Sequence, residues 1–534
     1  MPHAITPQCT RCHNCLPECP VGAIQLIGND YWIDPTLCND CRDTHAEPQC
    51  VAICPASSPI PLQPKKGRYK TDIHTITNPD LFPNRKNHSF ASAIVIWELC
   101  NILAQQASLP WQVDESGCLY YERQINQGRG TLRFYLNNTA RADLPLPVHQ
   151  ARSQLASFDI RAACLNLIFA AHATALEKPW EEEFVISDRQ IEDYLGLDKR
   201  KDLNKLTKLT LIKELAQQAC QVTACIHWSQ QGKIRQFTTP CSRIWHLIEI
   251  QHHLQEDELG CKQLTGLTFT IRAGVWSQHF LNRQGYHNHY AFYQYGTLPK
   301  SLLTEVMSHW QQHQGAIRMM LWLLFKTKIG KEQRVTIPTL MRIAYGEERV
   351  IQATLQRDQR KRLLRTFESD LEVLNHYGLK PTFDPITYPP EIQPLWAKLS
   401  ELPDDAEAAI EFWINDGSNG SRLTDASPRG KWNRLMNARI LQFDLPSDWH
   451  QASTPQGKNP RSGKGTSRRS YQVKSAVISG EQIVTARKRL GWSQRELAER
   501  TGKSQSWIRD IENGRFRAKH KDQSLLRQVL EIAD

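Results

Sequence analysis

The sequence predicts a multidomain chain: a small α+β head that depends on metal, an α/β middle region and an all-α tail. Three observations carry that reading. Eight of the fifteen cysteines fall within the first 54 residues. A long middle stretch alternates helix-like and strand-like patterns, and the last 57 residues return to helical periodicity after a basic, Ser/Gly/Pro-rich segment. At 534 residues the chain has room for about three or four domains.

Composition sets the class. An apolar fraction of 40% and a charged fraction of 23% are those of an ordinary globular protein. No apolar run approaches the roughly 20 residues that span a bilayer. The opening MPHAITPQCT lacks the basic and apolar regions of a secretory signal, so a cytoplasmic protein with no membrane partner is expected. The net charge of +11 is unevenly spread. Residues 1–60 hold two basic side chains, Arg11 and Arg42, against six acidic ones. Residues 449–480 hold Lys458, Arg461, Lys464, Arg468, Arg469 and Lys474 and no acid, and from 481 onward 12 basic residues face 8 acidic ones. An acidic head and a basic tail point to a polyanion at the C-terminal end. A solvated charged face would carry the same charge, so the weight falls on the motifs.

The head (1–60) is organised by two of them. The first is Cys9-x2-Cys12-x2-Cys15-x3-Cys19-Pro20, the second Cys38-x2-Cys41-x8-Cys50-x3-Cys54-Pro55. With no export signal, metal ligation explains this clustering better than disulfides. The first spacing is that of the bacterial ferredoxin run for cubane clusters. Three thiolates in a tight loop reach three corners of one cluster, and the fourth, opening a helix, points toward another. The resemblance to two-cluster ferredoxins implies two 4Fe-4S clusters, one on Cys9, Cys12, Cys15 and Cys54, the other on Cys38, Cys41, Cys50 and Cys19. The x8 interval departs from the compact form; an enlarged loop there is familiar in two-cluster ferredoxins of nitrogen-fixing bacteria. Zinc also binds paired Cys-x2-Cys elements, but needs neither the third cysteine nor the Cys-Pro that ends each motif. So small a segment buries too little apolar surface to fold alone. Cluster binding is then folding free energy, and losing a cluster to oxygen should disorder the head.

Residues 61–88, rich in Pro, Lys and Arg, read as a linker. The middle divides into parts 89–250 and 251–446. In the first, one long helix is expected over 151–176, then an extended run from Phe184 to Ile186. Ser187 caps a helix that runs to Gly196, and a basic helix begins near Asp198. Two strands, Val222–Trp228 and Ile234–Thr239, close the unit as a ribbon. The order partly recurs at 315–328, Val335–Ile337, Pro338–Tyr345 and 355–378. This helix–strand–helix–helix–ribbon order resembles the tandem winged helices of plasmid replication initiators; an unrelated α/β domain is the alternative. Cys220 and Cys225 flank a strand as core thiols. His287-x-His289 and His252-His253 lack the partners a metal site needs, and the aromatic run from Tyr286 to Tyr295 is read as a packed strand as readily as a base-stacking surface.

Residues 447–477 read as a flexible basic tether, and 478–534 as a compact helical domain. Ile483, Ala486 and Leu490 form the apolar face of a first helix. Ser493-x-x-Glu496 is a capping box opening a second, whose Leu497 and Ala498 face inward. Gly502 supplies the turn, Ser504 caps a third helix with Ile508 and Ile511 inside, and Asn513-Gly514 stops it. This pattern resembles the helix-turn-helix of the Cro/C1 repressor family. The resemblance makes the third helix the reader in the major groove, with Gln505, Ser506, Arg509 and Asp510 outward. Gln494 matches the family's phosphate-contacting glutamine, and Arg495, Lys503, Arg515 and Arg517 are phosphate partners. One such domain covers a half-site, so a homodimer, or action alongside the middle region, is expected.

Head, middle, tether and tail together resemble the cyanobacterial PatB/CnfR type of regulator. That resemblance implies a non-enzymatic activator of nitrogen-fixation genes under low oxygen, with the clusters as the sensing element. Its partners would be double-stranded promoter DNA, a second copy of the chain, and RNA polymerase or a redox donor. Two rivals stand: an iron–sulfur electron-transfer component, for which neither G-x-G-x-x-G nor a P-loop is present, and a replication-initiator-like DNA-binding protein.

Overall fold

The computed structural model describes residues 2–62, 76–83, 86–137, 145–326, 334–399, 428–449, 480–513, 518 and 520–530, with 407, 410 and 414. The expected linker is thus described in part, and the expected tether lies outside the described residues from 450 onward. The chain divides into two units, Met1–Thr454 and Pro455–Asp534.

In the head, β1 (His3–Ile5), β2 (Ile24–Ile27), β3 (Asp30–Ile33), the one-turn helix α1 (Gln49–Ala52) and β4 (Pro59–Pro61) follow in order. Strands β2 and β3 form an antiparallel hairpin, β1 and β4 a second two-stranded ribbon. Successive strand residues face opposite sides, and β3 uses both. Tyr31 and Ile33 join Ala23, Ile24 and Cys50 in the head's own core. Trp32, on the other side, belongs to the large core of the middle region. All three are buried.

The middle opens with β5 (Asn87–Ala91), α2 (Ile94–Gln105), β6 (Gln112–Val113), β7 (Leu119–Ile125) and β8 (Gly130–Leu136). Two helices, α3 (Val148–Ser157) and α4 (Ala162–Ala175), replace the single one expected over 151–176. Asp159 accepts the Arg161 N–H at 2.8 Å and also binds its guanidinium, which favours a turn over helix and bends the pair by 89°. Strand β9 (Glu183–Ser187) leads into α5 (Asp188–Leu195). Ser187 caps it and Gly196 ends it, as expected; the cap is a full capping box with Gln190, and Gly196 is left-handed at φ 68°. The next helix, α6 (Lys205–Ala219), starts later than expected. Leu197–Lys199 is a 3-10 turn, and the cap is Asn204, whose Oδ1 accepts the Thr207 N–H at 2.8 Å.

The expected ribbon belongs elsewhere. Strands β10 (Val222–Trp228) and β11 (Phe237–Arg243) pair, but β10 also pairs with β8, giving an antiparallel sheet in the order β11–β10–β8–β7–β6. The unit is closed instead by the following hairpin, β12 (Trp245–Glu256) and β13 (Lys262–Ala273), in the sheet order β12–β13–β9. That register sets Ile186 opposite Phe269 and Phe184 opposite Ile271, all four buried. The boundary expected at 250/251 therefore falls inside β12. Cys225 and Cys241 are joined as a disulfide across β10 and β11, against the expectation of a reduced core thiol at Cys225. Cys220 is a buried thiol that burial pushes up to about 12.

Short helices α7 (Trp276–Phe280) and α8 (Arg283–His287) precede β14 (Tyr295–Pro299), which pairs with β5. The aromatic run is thus mostly helix and loop, with Tyr286 and Tyr290 exposed. Then come α9 (Lys300–His309), α10 (Gln314–Lys326), β15 (Val335–Thr336), α11 (Ile337–Tyr345), α12 (Glu347–Leu355), α13 (Arg357–Tyr377), β16 (Lys380–Phe383) and β17 (Arg439–Asp444). Their sheet order is β15–β17–β16. Both units of the middle therefore run helix, strand, helices and a closing antiparallel strand pair, a hairpin in the first and joined by a long insertion in the second, and in both the first strand lies antiparallel beside the last. Helix α4 is buried and, apart from Asn166, His172 and Thr174, apolar, and with Ile317, Met320 and Leu324 of α10 it contributes to one continuous core. No single described helix is long and apolar enough to cross a membrane.

The tail consists of helices Gly480–Arg489, Gln494–Thr501, Gln505–Glu512 and His520–Leu530. Ile483, Ala486, Leu497, Ala498, Ile508 and Ile511 form its core, to which the fourth helix adds Leu526 and Leu530.

Candidate metal centre and nucleic-acid interface

The cysteine loops are held in backbone conformations that non-glycine residues rarely adopt. Arg11, His13, Asp40 and Cys41 have φ of 58°, 66°, 66° and 52°. Such left-handed residues cost about 1–3 kcal/mol each and persist where the surroundings enforce them. Here they curl the main chain around the thiols. The Cys19 sulfur accepts the Ala23 N–H at 3.3 Å, and the Cys54 sulfur accepts the Ser58 N–H at 3.4 Å. Each is the cysteine followed by proline. Amide donors aimed at sulfur stabilise a thiolate and tune a cluster bound to it, so the donor set fits the iron–sulfur group the sequence implies.

Two thiol neighbourhoods are apparent. Burial raises Cys15, a backbone hydrogen bond opposes it, and Cys9, Cys12 and Cys54 add to the rise. Burial likewise pushes Cys50 up to about 12, with Cys38, Cys41, Cys15 and Cys19 contributing. Cys41 and Cys50 are buried, whereas Cys12 is exposed. A cluster must therefore displace the protons that burial favours on Cys15 and Cys50, which makes assembly a deprotonation as well as a ligation.

The head is seated on the first unit of the middle through groups the sequence does not advertise. Asp34, wholly buried after β3, accepts from Lys213 Nζ of α6 at 2.5 Å and from Thr36 Oγ1 at 2.7 Å. His252 Nε2 of β12 lies 3.5 Å from the same carboxylate, and its ring is 5.3 Å from that of Trp32. Burial works to raise the Asp34 carboxyl, but the bonds from His252, Lys213 and Thr36 outweigh it and hold it well below the usual range. The Trp32 Nε1–H donates to the Lys262 carbonyl at 3.2 Å. Asp30 pairs outside with Lys262 and Arg11, at 2.9 and 2.8 Å. Those outer pairs are solvated and worth little; a buried pair broken on one side is costly.

In the tail, the capping box is closed in both directions. Ser493 Oγ accepts the Glu496 N–H at 3.2 Å, and Glu496 Oε2 accepts the Ser493 N–H at 2.6 Å. Buried Glu512 takes Arg487 at 2.7 and 3.1 Å, joining the first and third helices. Sequence reasoning missed this pair. Gln494, expected on a phosphate, donates to Glu512 at 2.7 Å and is half-buried. Lys503 pairs with Asp522 at 2.8 Å and lies over the Trp507 ring. Arg495 is exposed. Gln505, Ser506 and Arg509 are exposed on the third helix, while Asp510, 3.6 Å from Arg509, is half-buried. Arg515 and Arg517 lie outside the described residues.

Comparison with known proteins separates the two ends. The helix-turn-helix family matches residues 483–519. Ferredoxin-2 of Chlorobaculum tepidum is 53% identical over 55 residues, 10% of this chain and 89% of that protein. A ferredoxin-like protein in the vnf region of Azotobacter chroococcum is 48% identical over 48 residues, 9% of the chain and 72% of its own length. One in the nif region of Nostoc sp. is 47% identical over 57 residues, 10% of the chain and 49% of its own length. Fold and site together define a protein that joins a ferredoxin-like iron–sulfur head to a Cro/C1-type helix-turn-helix domain. Through that head the chain belongs to the ferredoxin family.

Proposed function

We propose that the chain is an oxygen- or redox-responsive DNA-binding transcription regulator, an activator of nitrogen-fixation genes under low oxygen, of the PatB/CnfR type. Two 4Fe-4S clusters are its sensing element, one on Cys9, Cys12, Cys15 and Cys54, the other on Cys38, Cys41, Cys50 and Cys19. When bound, such clusters supply one-electron redox chemistry and lability to oxygen. The observation that carries this reading is the seating of the head. Trp32, next to two residues of the head's own core, is built into the core of the middle region. A head that loses its order withdraws Trp32 and leaves Lys213 without Asp34, so the state of the thiols is felt in the packing of α6 and the β12–β13 hairpin. Ferredoxin-like relatives named for nif and vnf regions support the target genes.

The matching strand orders around β13 and β17 support reading the middle units as tandem winged helices. The functional partners are double-stranded promoter DNA, a second copy of the chain completing a two-half-site reader, and RNA polymerase or a redox donor; the chain is not an enzyme and acts in the cytoplasm. In the tail, Gln505, Ser506 and Arg509 read bases and Arg495 holds a phosphate. Anoxically purified protein should contain about eight iron and eight sulfide per chain and footprint a promoter that air-treated protein no longer occupies in the same way. The reading fails if Cys12→Ser and Cys41→Ser variants drive target promoters normally with and without oxygen. Arg509→Ala should cost about 1–3 kcal/mol and relax one operator position.

A further inference from the structure

We propose that a row of exposed cations on α13, Arg357, Lys361, Arg362 and Arg365, binds the phosphate backbone of double-stranded DNA and gives the chain a duplex contact additional to its tail. The inference rests on reading the chain as a DNA-binding regulator.

Helix α13 has one apolar face, Leu363, Phe367, Leu371 and Leu374, all buried. Away from it, Arg357, Lys361, Arg362 and Arg365 are exposed. Arg357, Lys361 and Arg365 recur every four residues, a line of charges about 6 Å apart along the axis. The fifth cation of the stretch, Arg360, is used internally: it donates to the Ala353 and Thr354 carbonyls at 3.1 and 2.6 Å and lies over the Trp432 ring. No described carboxylate forms an ion pair with the other four. The stretch 357–365 holds one acid, Asp358.

Helix stability does not account for this arrangement. Cations favour the last turn of a helix and anions the first. The ends of α13 follow that rule, with Asp358 in the first turn and His376 in the last, but Arg357, Lys361 and Arg365 set like charges at i, i+4 spacing, which repel one another. A row of long cationic side chains held at a cost to its own helix is what an external polyanion recruits. The helix also stands last before the closing strand pair of its unit, as α6 does in the first. There the lysines are spent inside the protein; here they are open.

The test uses the full-length, anoxically purified protein and a 30-base-pair duplex of arbitrary sequence, with binding measured across a series of salt concentrations. Replacing Arg357, Lys361, Arg362 and Arg365 together by alanine should lower the slope of log K against log salt by about two to four. Affinity near 0.1 M salt should fall about tenfold or more. Converting the three arginines to lysine should keep the slope, and iron content and circular dichroism should be unchanged in both variants. Equal slopes for wild type and the alanine variant overturn the proposal, as does a loss confined to single-stranded RNA competitors. If the wild-type chain binds no duplex at all, the regulator reading falls instead. A Gln505→Ala/Arg509→Ala variant that loses promoter preference but keeps the wild-type salt slope marks the tail as the reader and α13 as the anchor.

Discussion

Helices α6 and α13 stand in the same place in two units of the same strand order, and both are rich in cations, yet they meet opposite ends. In α6, Lys205 pairs with Asp188 and with Glu192, Lys208 is buried, and Lys213 reaches Asp34 of the head. In α13, four cations face solvent. The difference lies in whether the chain itself supplies a counter-charge. Where it does, the helix becomes a seat for another part of the molecule, and its lysines are part of the core. Where it does not, the same residue types form a surface with a strong field. Cation content alone therefore says nothing about which helix meets DNA; the location of the nearest carboxylate decides.

The sharpest way to break that comparison is to remove one side of the seat. Lys213 and Asp34 are both buried, so Lys213→Ala leaves the carboxylate with only His252 and Thr36 beside it and should cost about 3 kcal/mol. The loss should appear as faster proteolysis of the head and faster release of iron. Adding Asp34→Ala should recover part of the cost, a coupling that a double-mutant cycle isolates. A single variant as resistant as wild type would mean that the head is held by Trp32 and apolar contact alone.

Acid should divide the two units next. Burial, helped by neighbouring His88, pushes His172 of α4 down to about 3, and among the described residues its Nε2 has no partner. A histidine whose folded pKa lies below its unfolded value near 6.5 loses stability as pH falls below about 6.5, and the loss continues until about 3. At pH 5 this amounts to about 2 kcal/mol. In the second unit burial raises Asp370, against the bonds from Tyr345 and His313. A carboxyl with a raised folded pKa has the opposite sign: its contribution is complete below its unfolded pKa, near 4, and is lost as pH rises through the folded value. Hydrogen exchange at pH 5 should therefore loosen α4 and β9 before α10 and α13, and His172→Leu should abolish the difference. Uniform loosening would show that acid acts elsewhere.

Much of this is written locally and some of it is not. The cysteine spacing, the Ser187 and Ser493 caps and the turn at Gly502 involve residues within a few positions of one another, so their chemistry is visible in a short window. The order of elements in both units follows from such signals. Which hairpin closes the first unit does not. The strands β10–β11 and β12–β13 are equally good ribbons by sequence, and the choice is made by Phe184 and Ile186 meeting Ile271 and Phe269 some 80 residues on. Lys213 reads as part of a solvated basic helix because its partner is 179 residues away. His252 reads as a partnerless histidine for the same reason, since Asp34 is equally remote in sequence, and nothing local joins Cys241 to Cys225. At the candidate DNA face the residue types were legible, but the internal partners of Gln494 and Lys503 were not.

The smallest effect is the one that separates stability from function on α13. Arg357 begins the helix, where the macrodipole favours an anion, so Arg357→Glu should stabilise the fold by about 0.3–1 kcal/mol at low salt. The same change places a negative charge against a phosphate backbone and should weaken duplex binding, most strongly at low ionic strength. Stability from urea unfolding and affinity for the duplex should thus move in opposite directions, as they do where a residue is kept for its partner at a cost to the fold. If both rise, or both stay level, Arg357 is simply a solvated side chain. The contrast between the two helices would then rest on Lys361, Arg362 and Arg365 alone.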